Sequence, residues 1–335
     1  MFVIIFSCDF IVRVRKMLKD LLEERKCFKL VCGAGNEDAL EVEKLVTIYS
    51  KAGCTFFDVC AKAEIVDAAK RGLKRAGIFD DRYLCVSVGI SGDPHITKAN
   101  IDEEKCYECG TCKSVCPHDA IDETIFVIKE RCLGCGQCVK VCPNNAIAMH
   151  SQLIDYKEIL PELVSNGIDC IEFHAISDDE NDVDEKWAQI NEMFDGMLCI
   201  SLDRSSLGDI KLKERVNRLI SIRKPYTTII QADGVAMSGN NDEYGTTLQA
   251  VATAQLFQNA KMPVYIMMSG GTNTKSTELA KLCGVNPNCL AVGSYARKII
   301  KQYLQMDDLF ENETAMNEAV KIAKSLIDVS LENMQ

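Results

Sequence analysis

The sequence is short of basic residues: 38 Lys and Arg stand against 49 Asp and Glu, a formal net charge of −11. Phosphate backbones and anionic lipid surfaces are bound by clustered Lys and Arg, so nucleic acid and acidic membranes are excluded as main partners. Long apolar runs are also missing. None reaches the roughly 18 residues that a membrane-spanning helix requires. The start, MFVIIFSCDFIV, is apolar but short and contains Asp9. It has no basic leader and no small-residue cleavage pattern, so no secretory leader is expected. Histidine is scarce, with four in the chain. Cysteine is abundant at 18, but ten of these (Cys8, Cys27, Cys32, Cys54, Cys60, Cys85, Cys170, Cys199, Cys283 and Cys289) lack any pairing pattern and lie mostly in apolar runs. That excludes a disulfide scaffold and points to a reducing compartment, the cytoplasm or, for a plastid-borne chain, the stroma.

The other eight cysteines are highly patterned. KCYECGTCKSVCP (105–117) and RCLGCGQCVKVCP (131–143) repeat Cys-x-x-Cys-x-x-Cys-x-x-x-Cys-Pro at a spacing of 26 residues. Thiolates are soft ligands for iron–sulfur clusters, and in this bacterial ferredoxin pattern the fourth Cys of each run ligates the other cluster. One cluster is expected on Cys106, Cys109, Cys112 and Cys142, the other on Cys132, Cys135, Cys138 and Cys116. Gly110, Gly134 and Gly136 fall where backbone runs close to the metal site. HDAI (118–121) and NNAI (144–147) repeat the same turn and apolar anchor, which implies internal two-fold symmetry. Zinc is the competing reading, but its sites are built from Cys pairs rather than four-Cys runs followed by proline. A purely structural role for the clusters is a further alternative. Acidic residues flank the motifs at Asp102, Glu103, Glu104, Glu108, Asp119, Asp122 and Glu123, either to dock a basic redox partner or as a solvated face.

Eight apolar runs suited to strands buried on both faces recur along the chain: 29–33, 54–60, 83–90, 169–175, 197–203, 226–233, 264–270 and 289–294. Amphipathic helices lie between most of them, among them 37–53, 209–224 and 246–261. Gly53, Gly77 and Gly167 stand where helices end. Alternating strand and helix gives a parallel sheet, and a count of eight favours an α/β (β/α)8 barrel over an open doubly wound sheet. The cysteine region then interrupts the third strand-to-helix loop, a ferredoxin-type insertion on the face where barrel active sites form. The expected organisation is a helical extension at 1–26, barrel at 27–93 and 151–308, the insertion at 94–150, and a C-terminal helix within 309–335. Helices at 10–26 and 312–332 are expected to cover the barrel's surface.

At the barrel mouth, MSGGTN (268–273) and AVGSYAR (291–297) end the seventh and eighth barrel strands. Ser269, Gly270, Gly271, Gly293 and Ser294 form a candidate cradle for a phosphate-bearing ligand, FMN or a sugar phosphate; turns that need positive φ are the alternative. Asp58, Glu172, His174, Asp203, Arg204, Gln231 and Asp233 collect at strand ends as candidate acids, bases or ligand anchors, or as structural hydrogen-bonding groups. No catalytic residue is assigned. The Gly-rich stretch 232–247 suits a binding loop or lid, and the acidic run 177–185 a solvated loop.

QADGVAMSGNNDEYGTT, MSGGTNTKSTELAKLCG and AVGSYAR resemble the C-terminal region of the cyanobacterial light-dependent period (LdpA) family. KLVCGAGNEDALEVEKLVTIYSKAGCTFFDVCA and VSVGISGDPHITKANID resemble its N-terminal region, ahead of the same two ferredoxin motifs. The resemblance spans about residues 27–305; the apolar start at 1–12 matches nothing in the family. It implies an iron–sulfur protein that reports redox state to clock-associated partner proteins. The eight cysteines carry over position by position. Their regular spacing in the first motif, less regular in the family, implies four-iron clusters at both sites. Two functions are therefore expected to compete: a redox-sensing or electron-transfer protein that signals through partners, and an oxidoreductase whose barrel holds a flavin or phosphorylated substrate.

Overall fold

A computed structural model describes residues 18–334 other than 34, 79–80, 91–92, 94–95, 152–154, 205–206 and 235–242. Eight strands close into an all-parallel barrel: β1 (Cys27–Val31), β2 (Phe56–Cys60), β3 (Tyr83–Gly89), β6 (Cys170–His174), β7 (Met197–Leu202), β8 (Thr228–Asp233), β9 (Tyr265–Ser269) and β10 (Cys289–Val292). Each of the eight apolar runs supplies one strand. Barrel closure runs through β1 and β10, where Cys27 faces Cys289 and Leu30 faces Val292. The connecting helices begin and end on ordinary signals. In α2 (Ala39–Lys51), Asp38 caps the first turn by accepting from the Glu41 N–H at 3.0 Å. Gly77, left-handed, ends α3 (Ala63–Ala76).

The barrel interior is layered. Its lower part is apolar and unusually rich in cysteine, with Cys27, Cys85, Cys170, Cys199 and Cys289 packed among Phe56, Met197, Ile229 and Met267. Small sulfur side chains fill a space too narrow for eight large residues. These cysteines are free thiols, as are the other described ones. The described part of the N-terminal segment is a short helix, α1 (18–23). It does not cover the outer surface as expected. Leu18 and Leu22 are buried in the same interior cluster, so α1 plugs the bottom of the barrel. The C-terminal helix α13 (Glu313–Glu332) packs on α2 and β1 from outside.

The insertion leaves at the C-terminal end of β3. It is bounded by its own antiparallel pair, β4 (Thr97–Ile101) and β5 (Ile147–Ser151), whose register sets Thr97 opposite Ser151. Chain entry and exit are therefore adjacent, and the barrel resumes at α6 (Tyr156–Ser165). Between them lie two short helices, α4 (Thr111–Ser114) and α5 (Gln137–Val141), over a separate small core of Ala99, Ile121, Val127, Ile147 and the cysteines Cys112, Cys132 and Cys138. The internal symmetry is visible in the backbone. Left-handed residues recur at the 26-residue spacing: Glu108 and Gly134, Gly110 and Gly136, Asp119 and Asn145.

The acidic run 177–185 is not a loop. Asp179 accepts from the N–H groups of Asn181 and Asp182, and the rest opens α7 (Glu180–Met193). Acidic side chains at a helix start are favoured by the exposed N–H groups there. Half of the expected lid at 232–247, residues 235–242, lies outside the described residues, and its end already belongs to α9 (Glu243–Ala260).

Candidate functional site

The eight motif cysteines gather into two sets. Cys106, Cys109, Cys112 and Cys142 line one small cavity, with Ile101, Tyr107, Ile125 and Ile147 around them. Cys116, Cys132, Cys135 and Cys138 line the other, with Ala99, Ile121, Val127 and Met149. In each set three thiols come from one run and the fourth from the other run. Backbone N–H groups point at the sulfurs: Ala120 N to Cys116 Sγ at 3.3 Å, Ala146 N to Cys142 Sγ at 3.2 Å, Ala99 N to Cys132 Sγ and Glu108 N to Cys106 Sγ at 3.4 Å. Such donors stabilise anionic sulfur and tune a cluster's potential. Gly110 and Gly136 start α4 and α5 at φ of 75° and 67°, turning the chain so that the third cysteine of each run follows within the helix.

The motif sulfurs are not drawn together as around a single ion. Four sulfurs around zinc lie about 3.8 Å apart, given a Zn–S bond of about 2.3 Å. Among the described residues, no three motif sulfurs come within 4.8 Å of one another. The one tight group of donors is elsewhere: Asp58, Cys85 and Glu172, in the barrel interior.

Lys29 already supplies the cation there. Its ammonium donates to Glu172, lies 3.8 Å from Asp58 Oδ1 and 3.4 Å from Gln231 Oε1, and is fully buried. The network continues upward through Glu172. His174 Nε2 lies 2.9 Å from Glu172 Oε1, and His174 Nδ1 2.8 Å from Asp93. Gln231 donates to the same Glu172 oxygen at 2.8 Å, Ser87 donates to Asp58 at 2.8 Å, and Ser201 donates to Asp233. Burial opposes charge on Lys29 and His174, but the carboxylates beside each outweigh it and hold both well above their ordinary pKa. Glu172, between them, is pushed down despite its burial. Asp58 and Asp233 go the other way. Burial, with the Glu172 charge nearby, lifts each to about 6.

Five of the seven polar candidates therefore share one layer: Asp58, Glu172, His174 and Gln231, all buried, and Asp233, half-buried at its edge. Arg204 is not in it. It clamps Asp209 at the start of α8 (Asp209–Ile220) through two N–H groups at 2.8 and 2.9 Å. Asp203, beside it, is half-buried at the end of β7. Sequence reasoning missed Lys29, Ser87, Asp93 and Ser201. For Lys29 a signal existed: a lysine inside the strand run CFKLV.

Ser269 and Gly270 close β9, and Gly293 and Ser294 follow β10, the neighbouring strand. A side chain on Gly270 would lie 2.9 Å from the Gly234 nitrogen, and the Gly271 carbonyl accepts from Thr246 and Thr247 at 3.1 and 3.0 Å. Close backbone packing between the β8 and β9 ends thus accounts for a glycine at 270.

Comparison with known proteins is consistent with this geometry. Residues 162–329 match the light dependent period A C-terminal domain, and residues 99–149 match a 4Fe-4S dicluster domain. Light dependent period A of Synechococcus elongatus is 32% identical over 273 residues, 78% of this chain and 75% of that protein. Indolepyruvate oxidoreductase subunit IorA of Thermococcus kodakarensis is 32% identical over 94 residues, 25% of this chain and 14% of that protein. A crystal structure of a Coccidioides immitis protein assigned as a fructose-1,6-biphosphate aldolase superposes with a TM-score of 0.50 at 10% identity, covering 95% of this chain and 96% of that one. At that identity the likeness concerns the barrel fold alone.

Proposed function

We propose a function that proceeds from one premise: the chain belongs to the light dependent period A family and is an iron–sulfur protein. It holds two [4Fe–4S] clusters, one on Cys106, Cys109, Cys112 and Cys142, the other on Cys132, Cys135, Cys138 and Cys116, and acts as a redox sensor or electron carrier that signals through partner proteins. The observation that carries this reading is the gathering of the eight thiols into two cavities with crossed fourth members. Bound clusters would supply one-electron redox chemistry. The chain's own residues supply thiolates, N–H donors to sulfur, and an apolar surround.

The barrel's role in this reading is to carry the insertion. Its interior ammonium and imidazole are spent on internal carboxylates, which suits a rigid platform. A lysine held protonated is also a poor nucleophile. The partner surface is the outer side of the insertion, where Glu103, Glu104 and Glu108 are exposed beside Tyr107, itself 58% exposed. That surface suits a basic redox or signalling protein. The compartment is a reducing one, the cytoplasm or a plastid stroma. In the light dependent period A family this signalling is circadian input, and the same output is proposed here.

The second reading is an oxidoreductase whose barrel takes FMN or another phosphorylated ligand at Ser269, Gly270, Gly271, Gly293 and Ser294. It is favoured by the placement of these residues at the ends of adjacent strands. The absorption spectrum of anaerobically purified protein separates the two. The sensor reading expects iron–sulfur absorption that dithionite bleaches and an oxidant restores, without flavin bands. Flavin bands in the purified protein would move the assignment to the oxidoreductase.

A further inference from the structure

Between the barrel and the insertion lies a cleft of about 610 Å³, the size of a small-molecule site. Its walls come from the β1–α2 turn and α2, from α11 (Ser294–Ile299) and α12 (Lys301–Leu304), and from the cluster insertion. The chain as a whole is strongly acidic, but this lining is not. Lys44, Arg131, Arg297, Lys298 and Lys301 face Asp38, Glu41, Asp119 and Asp307. Two ion pairs cross the rim: Arg131 to Asp38 at 3.2 Å and Lys301 to Asp119 at 2.7 Å.

Arg297 stands apart from these pairs. Among the described residues, the one hydrogen bond its guanidinium makes is to the Val31 carbonyl, at 3.0 Å. No carboxylate lies within ion-pair distance of it among the described residues. Four of its five N–H donors are thus left for a partner. Burial lowers its pKa, and the charge of Glu41, beyond ion-pair distance, offsets this only in part. A second polar group is also unmatched: His118 Nε2 is buried with no hydrogen-bond partner among the described residues. His118 and Leu133 line this cleft and also the cavity of Cys116, Cys132, Cys135 and Cys138, so they form the wall between the two. Leu40, Tyr295 and Leu304 provide apolar walls.

We infer that this cleft binds a phosphorylated small molecule, with Arg297 as the anion anchor, Lys301 and Arg131 at the rim, and the apolar walls against the ligand's body. A phosphate monoester suits it, because the planar guanidinium fork matches phosphate oxygens and a dianion uses more than one cation. The site shares Ser294 with the cradle of the second reading but none of Ser269, Gly270, Gly271 or Gly293, and its existence does not depend on which partner protein the clusters serve.

The test is calorimetric titration of anaerobically purified, cluster-loaded full chain with FMN and with AMP, against riboflavin and adenosine, which lack the phosphate. At least one phosphorylated probe is expected to bind at one site per chain, with its unphosphorylated counterpart about tenfold weaker or worse. Arg297→Gln is expected to weaken binding at least about tenfold, and Arg131→Ala, in the insertion and remote from the Ser269 turn, to weaken it several-fold. Should Arg297→Gln fail to fold, Arg131→Ala and Lys301→Ala carry the test, since both side chains are about half exposed. The inference is overturned if neither FMN nor AMP binds saturably up to about 1 mM, or if binding is unchanged in the folded variants.

Discussion

Lys29 and Glu172 are the residue pair on which the barrel interior turns. Both are buried to within 2% exposure, so each charge is tolerated only because opposite charges stand beside it, Asp58 as well as Glu172 for Lys29 and His174 as well as Lys29 for Glu172. Lys29→Met removes one cation and leaves Glu172 and Asp58 facing each other in a site shut off from water. It is expected to cost about 3–5 kcal/mol in chemical denaturation. Asp233 gives a pH signature. Its pKa is lifted from the ordinary carboxylate range to about 6, so the folded state holds its proton more tightly than the unfolded state. The stability this contributes is present at low pH and is lost as pH rises through about 6. Asp233→Asn has no such loss. Its stability relative to the natural chain is expected to rise by roughly 2 kcal/mol between pH 4 and 7; a difference independent of pH would contradict the assignment. Polar strand ends such as Asp58, Glu172 and His174 were legible in the sequence because a charge beside an apolar run is conspicuous. Which of them share one layer was not, because the layer is assembled from β1, β2, β3, β6, β7 and β8, and contacts within it join residues 202 apart, as Lys29 and Gln231 are.

At the scale of elements, the eight barrel strands could be read directly, because parallel strands covered on both faces are continuous apolar runs. Elements whose role depends on what they touch could not. The helix at 18–23 reads as an ordinary amphipathic surface helix until Leu18 and Leu22 are found inside the barrel. The run 177–185 reads as solvated because its charge is counted, while its helix-capping geometry is not. The insertion behaves as a unit. Its first and last strands pair with each other, Thr97 Oγ1 lies 2.9 Å from Ser151 Oγ, and it has its own core. Lys98 nevertheless ties it to the barrel, donating to Gly35 O at 2.7 Å and pairing with Glu37 at 3.2 Å. Replacing 98–150 with a short Gly-Ser linker is expected to leave a barrel that still unfolds cooperatively, measured by circular dichroism, but has no iron–sulfur absorption. Loss of the barrel with the insertion would mean that the two fold as one cooperative body.

The whole molecule joins a self-satisfied parallel barrel to a cysteine-rich insertion with internal two-fold symmetry. The gathering of the eight motif cysteines into two crossed sets was legible because the motif spells it out. The cleft between insertion and barrel was not, since it exists only once residues near 40, 118, 131 and 297 are brought together by the fold. The central claim is that two four-iron clusters sit side by side on crossed cysteine sets. It is tested most directly by EPR of the dithionite-reduced protein, together with iron analysis, on the natural chain and on Cys142→Ser. The natural chain should hold about eight iron atoms and give a spectrum broadened by interaction between two neighbouring reduced clusters. Cys142→Ser should alter or lose the cluster of Cys106, Cys109 and Cys112, although it lies in the other run, and leave the signal of a single isolated cluster. Zinc in place of iron, or a Cys142→Ser protein that loses the cluster of Cys132, Cys135 and Cys138 instead, would contradict it.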